Sequence, residues 1–148
     1  MGALVLLVEH DEALRTSIVR ALRARGTGVD AFDTAGAARA AVEAGGQWGR
    51  ALIDLGLPDQ DGATLAEVVL QHLPEIEITF ATSGIDAAVL CRAHGLGTVI
   101  WKPLGLGPLC ERFATVDKSS GAYEKRGARR ASSVAIGAVR PVAVGDRK

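Results

Sequence analysis

Five short apolar runs alternate with five segments of helical period, and this alternation limits the fold more than any other feature of the chain. Residues 3–8 are apolar throughout, as a strand buried on both faces of a parallel sheet must be. Leu14, Ile18, Ala21 and Leu22 then repeat at helical spacing, and Gly26 marks the stop. A short strand over residues 29–32 precedes an alanine-rich helix that Thr34 can cap, running to about Glu43 before Gly45 and Gly46. Residues 51–54 read as a third strand. Leu65, Val68, Val69 and His72 keep helical spacing up to Pro74, and Ile76, Ile78 and Phe80 alternate at strand period. A helix over residues 86–94, a strand over 98–101 and a last helix marked by Leu106, Leu109, Cys110 and Phe113 complete the series. Such alternation predicts an α/β fold: a doubly wound, five-stranded parallel sheet with helices on both faces, because right-handed crossovers leave few other topologies.

At 148 residues the chain has the size of one domain, and 48% apolar with 23% charged residues excludes a wholly disordered polymer. No apolar run approaches the roughly 18 residues of a membrane span, and the N-terminus lacks the basic start and cleavage site of a secretory signal. A cytoplasmic protein is expected. Cys91 and Cys110 have neither ligand spacing nor a disulfide framework and are expected as buried free thiols.

The formal charge of zero conceals two unequal parts. Residues 1–117 hold nine Lys or Arg against fifteen Asp or Glu, a formal −6, and residues 118–148 hold eight against two, a formal +6. The expected organisation is a folded domain over 1–117 followed by a basic, flexible extension over 118–148, in which residues 134–144 could add an edge strand. The extension could attract an acidic partner, nucleic acid or anionic lipid, but such runs are usually solvated, and nucleic acid is not the expected partner.

In sheets of this kind ligands bind outside the carboxyl ends of the strands, where strand order reverses. Glu9, His10 and Asp11 end the first strand, Asp54 the third, Thr82 and Ser83 the fourth, and Lys102 the fifth. Clustered carboxylates such as Glu9 and Asp54 suit a hard divalent cation. A carboxylate can also attack a phosphoryl donor if a cation and a hydroxyl neutralise the transferring oxygens, roles open to Lys102 and Thr82. The alternative for each residue alone is structural: Asp54 opening a turn before Gly56 and Pro58, Thr82 capping a helix, Lys102 snorkelling from a strand end.

The combination Val-Glu-His-Asp-Glu, Leu-Ile-Asp-Leu-Gly-Leu-Pro-Asp-Gln-Asp-Gly, Ala-Thr-Ser-Gly and Trp-Lys-Pro resembles, in order and spacing, response-regulator receiver domains over residues 3 to about 116. The resemblance implies a flavodoxin-like (βα)5 fold and assigns Asp54 as phosphoryl acceptor, Thr82 as the hydroxyl on the phosphoryl group and Lys102 as the family's lysine. It also implies a cis bond before Pro103 and magnesium as cofactor, held by Glu9, His10, Asp54 and the backbone carbonyl of Gly56. Two positions depart from the pattern. His10 stands where the family carries an acid that ligates magnesium, and imidazole prefers zinc, copper, nickel or iron. Either Asp11 swings in as a substitute oxygen ligand or the site binds magnesium weakly, and a zinc set of Glu9, His10 and Asp54 is the alternative to a His that only hydrogen-bonds. Val99 stands where receivers usually have an aromatic that turns inward on activation. Trp101, two residues on, points away from Lys102 and reads as packed or half-exposed. Trp48 is expected over the sheet's lower edge, and His72 and His94 at helix ends.

The resemblance thus implies a stand-alone signalling receiver in a two-component system, not an enzyme beyond autocatalytic phosphoryl transfer and dephosphorylation. A histidine kinase or phosphotransfer protein would supply the phosphoryl group and a downstream protein would read the result. A homodimer is compatible with it. The alternative is a phosphorylation-independent pseudo-receiver acting as an interaction module.

Overall fold

Alternation within the central strand divides the hydrophobic core in two. In the computed structural model, which describes residues 4–114, β1 (Leu4–Val8) sends Val5 and Leu7 to one face of the sheet and Leu6 and Val8 to the other. All four are at most 1% exposed. Burying each such side chain contributes about 1.5–3 kcal/mol, which explains why a run without one polar residue is used here.

The remaining elements follow in strict alternation: α1 (Glu12–Ala24), β2 (Gly28–Phe32), α2 (Ala35–Glu43), β3 (Arg50–Asp54), α3 (Gly62–His72), β4 (Glu77–Thr82), α4 (Ala87–Leu96), β5 (Thr98–Trp101) and α5 (Leu106–Arg112). The sheet is parallel throughout, in the order β2-β1-β3-β4-β5. The expected doubly wound, flavodoxin-like α/β fold is thus observed. Ile18 and Leu22 of α1 and Leu109 and Cys110 of α5 pack with Val5, Leu7, Leu52 and Ala81 on one face. Ala38 and Val42 of α2, Leu65, Ala66 and Val69 of α3 and Ala93 of α4 cover Leu6, Val8, Ile53 and Phe80 on the other.

Local chemistry sets the helix ends. Asp11, Thr34, Asp61 and Asp86 each accept a hydrogen bond from the backbone N–H three residues on, capping α1 to α4. Gly26, at φ +84°, takes the chain out of α1 in a conformation that a side chain would disfavour. At the far end of the sheet, the Arg50 guanidinium donates to the carbonyls of Arg112 and Ala114 at 3.0 and 3.1 Å, satisfying the last turn of α5.

One expectation needs correction. Cys91 is exposed on α4 and only Cys110 is buried; both are free. Among the helix's residues only Ala93 is buried, so this helix shows the core a narrow stripe and leaves the thiol in solvent. Asp11 caps α1, its carboxylate accepting from the Leu14 N–H at 3.2 Å. Trp48 is buried and donates from Nε1 to Asp30 at 2.9 Å, and Trp101, 46% exposed, is half-exposed as expected. Val99 is buried, 1% exposed. The extension over residues 118–148, with its edge-strand segment, lies outside the described residues. Among those described, no helix is long and apolar enough to cross a membrane.

Candidate functional site

Strand order reverses between β1 and β3: the chain leaves β1 toward β2 on one side and returns to β3 on the other. The crevice so opened at their carboxyl ends is where doubly wound sheets place ligands. Glu9 follows β1 directly and is 2% exposed; Asp54 ends β3 and is 4% exposed. Backbone pairing continues to the strand ends. Glu9 N–H donates to Phe32 O, Leu55 N–H to Ala81 O and Lys102 N–H to Thr82 O, at 3.0, 2.9 and 2.8 Å. These bonds place Asp54, Thr82 and Lys102 on one edge of the sheet.

One ammonium serves both buried acids. Lys102 Nζ lies 3.1 Å from Glu9 Oε1 and 3.5 Å from Asp54 Oδ2. It follows β5 and is joined to Pro103 by a cis bond, as the resemblance implied. Asp54 Oδ1 accepts from the Gly56 N–H at 3.0 Å, which fixes the plane of the carboxylate. Glu9 Oε2 accepts from the Asp11 N–H at 3.1 Å. Burial is the main cause that pushes the Glu9 carboxyl above its ordinary pKa; the neighbouring Asp54 charge adds to it, against the Asp11 N–H and the Lys102 ammonium. Thr82 is buried at the end of β4, and its hydroxyl accepts from the Gly84 N–H at 3.0 Å. It does not cap α4, a task taken by Asp86. Its hydroxyl hydrogen remains available to an anionic ligand.

His10 stands at the mouth, half exposed, with Nδ1 3.3 Å from Asp54 Oδ2 and 3.9 Å from Glu9 Oε2. One donor atom from each of Glu9, His10 and Asp54 lies within 4.8 Å of the others. Receiver domains typically hold magnesium through acidic residues. Glu9, Asp54 and the Gly56 carbonyl offer the oxygens that magnesium takes; the imidazole does not, so this side-chain set does not fit magnesium's near-octahedral oxygen shell.

Two supporting groups were not singled out from the sequence. The Arg15 guanidinium donates to the carbonyls of Glu9 and His10 at 2.9 and 3.3 Å, holding the β1–α1 loop; its place one turn after Asp11 was the available signal. Asp59, in the loop after Asp54, accepts from the N–H groups of Ala35 and Gly36 at 2.9 and 2.8 Å, tying that loop to the start of α2. An exposed acid in a turn carries no periodic signal that would reveal this.

The family model of the response regulator receiver domain matches residues 5–114. A CheY-like receiver domain protein from Methanospirillum hungatei JF-1 is 24% identical, with a TM-score of 0.73 over 85% of this chain and 98% of that one. The receiver domain of the hybrid histidine kinase CckA is 26% identical, with a TM-score of 0.63 over 74% and 94%. The BeF3-activated DrrB receiver domain is 18% identical, with a TM-score of 0.66 over 88% and 100%. No curated protein matches the sequence significantly. With a central β1, a crevice edged by Glu9, Asp54 and Lys102, and a family match spanning the described fold, the chain belongs to the response regulator receiver domains of two-component signalling.

Proposed function

We propose that Asp54 accepts a phosphoryl group from a histidine kinase or phosphotransfer protein, and that the modified chain signals by contact with a downstream protein. The observation that carries this reading is the Asp54 carboxylate, nearly buried, pinned by the Gly56 N–H and set 3.5 Å from the Lys102 ammonium. In the transfer, an Asp54 oxygen forms a bond to phosphorus as the bond from phosphorus to the donor imidazole breaks; the imidazole nitrogen keeps the electron pair and takes a proton from solvent. Lys102 neutralises charge on the transferring oxygens and Thr82 donates its hydroxyl to one of them. The Asp54 carboxylate oxygen is itself the nucleophile, with no hydroxyl or thiol proton to remove first.

Acetyl phosphate tests this with purified protein. A one-phosphate mass increase in the presence of magnesium, manganese or zinc, lost in Asp54→Asn, is the expected result. Modification that survives Asp54→Asn would refute the acceptor assignment.

A second reading rests on His10 and Val99. An imidazole replaces an acid beside Asp54, and a buried valine replaces the aromatic whose inward turn accompanies activation in the family. Under this reading the chain is a pseudo-receiver, an interaction module independent of phosphorylation. Wild-type protein that remains unmodified with every one of the three cations would favour it.

A further inference from the structure

We propose that Glu9, His10 and Asp54 form a site for a borderline divalent ion of the zinc class, and that His10 sets this preference against magnesium. The inference rests on reading this pocket as the receiver's cation site, and does not require Asp54 to be phosphorylated.

The donors decide the class of ion. One imidazole nitrogen with two carboxylates is a set that zinc accepts readily and magnesium does not. Spacing agrees. Zinc bonds to nitrogen and oxygen of about 2.0–2.2 Å put tetrahedral neighbours about 3.4 Å apart. Cis neighbours around octahedral magnesium stand about 2.9 Å apart. His10 Nδ1 lies 3.3 Å from Asp54 Oδ2 and 3.9 Å from Glu9 Oε2, and the three donor atoms all lie within 4.8 Å of one another, so the set has only to draw together slightly around an ion. Three protein ligands leave a fourth position for water or an anionic oxygen.

The surroundings hold these ligands in place. The Gly56 N–H orients Asp54 through Oδ1 and leaves Oδ2 toward His10. The Asp11 N–H orients Glu9, and Arg15 grips the carbonyls of both Glu9 and His10. Such outer bonds fix ligand orientation and raise affinity. His10 is 51% exposed and provides the entry path. Two carboxyl groups face the single Lys102 ammonium, at 3.1 and 3.5 Å.

Most nitrogen and oxygen sites bind zinc more tightly than magnesium, so zinc binding alone is not diagnostic; dependence on His10 is. Calorimetric titration of the tag-free full chain with zinc and with magnesium reads it directly. The expected result is one zinc per chain, with affinity falling at least about tenfold in both His10→Asp and His10→Ala. Magnesium affinity rises in His10→Asp, which restores an oxygen donor. Cobalt(II) supplies a second readout: intense visible absorption of four-coordinate metal in the wild type, lost in both variants. Circular dichroism verifies that each variant is folded, and His72→Ala with His94→Ala is expected to bind as the wild type does. An unchanged zinc-to-magnesium ratio in both His10 variants, or zinc binding lost with His72 and His94, would overturn the proposal. Zinc binding that depends on His10 in a chain that acetyl phosphate leaves unmodified supports the proposal and removes the acceptor reading. Modification with magnesium, without zinc binding that depends on His10, does the reverse.

Discussion

Lys102 Nζ stands 3.1 Å from Glu9 Oε1, so the ends of β5 and β1, two strands apart from direct pairing, meet through one ion pair. The same ammonium is 3.5 Å from Asp54 on β3. Among the described residues, only Lys102 and His10 bring a basic side chain within 4.0 Å of these carboxylates, so the lysine holds the crevice together as well as facing any ligand in it.

Lys102→Met should therefore destabilise the fold. Removing one member of a buried ion pair costs about 3–5 kcal/mol; here Lys102 is 18% exposed and the loss at pH 7 should be nearer about 2 kcal/mol. Urea denaturation checks it. The difference should shrink in acid, where the Glu9 carboxyl, its pKa raised by burial, takes up a proton, and an unchanged midpoint at pH 7 would count against the ion pair.

The raised pKa of Glu9 makes a separate statement about pH. Above its ordinary value near 4.5 the folded protein keeps a proton at Glu9 that the unfolded chain has released, so stability due to this group falls as pH rises through the window. In metal-free buffer, the stability of the wild type minus that of Glu9→Gln should decrease as pH rises above 4.5. Thermal unfolding of both across this range measures the slope, and an increasing difference would show that the Lys102 attraction outweighs burial.

Much of this was legible in the residues because two periods carry it. The unbroken apolar run before Glu9 could only be a strand covered on both faces, and alternation at Ile78 and Phe80 fixed which side of β4 meets α3. Once the strands were placed, Glu9, Asp54, Thr82 and Lys102 fell at their ends by counting. What escaped depends on contacts between segments remote in the chain. The Asp59 carboxylate reaches α2 across 24 residues, Trp48 meets Asp30 across 18, and Arg50 meets the end of α5 across 62. Cys91 was misjudged because a short helix at the sheet's flank buries so little of itself that its apolar residues do not report a face.

Asp59→Ala should loosen the start of α2. The Ala35 and Gly36 N–H groups hold the Asp59 carboxyl below its ordinary pKa of 3.8, so its stabilisation is present above that value and is lost as pH falls through the lower, folded one. The variant should melt below the wild type at neutral pH and converge with it in strong acid. Amide exchange should quicken at Ala35 and Gly36 in particular. Equal protection at these two amides would show that the tether has no thermodynamic weight.

Two glycine substitutions should act in opposite directions because of what surrounds each. A Cβ at Gly62 would press on the backbone carbonyl of Asp54, with Ile53 Cγ2 at 2.9 Å and the Cα of Leu55 at 3.0 Å, so main chain must move. Gly62→Ala should cost about 2 kcal/mol by overpacking and shift the Asp54 carboxylate from the Gly56 N–H, weakening both cation binding and phosphorylation. A Cβ at Gly95 in α4 meets nothing within 4 Å. Gly95→Ala should stabilise by about 0.5–1 kcal/mol through helix propensity and leave the crevice unaltered. Chemical denaturation compares the two variants, and metal titration separates their effects on the site. A Gly62→Ala protein as stable as Gly95→Ala would mean that the turn after Asp54 yields freely, and that its close packing against α3 does not set the position of the carboxylate.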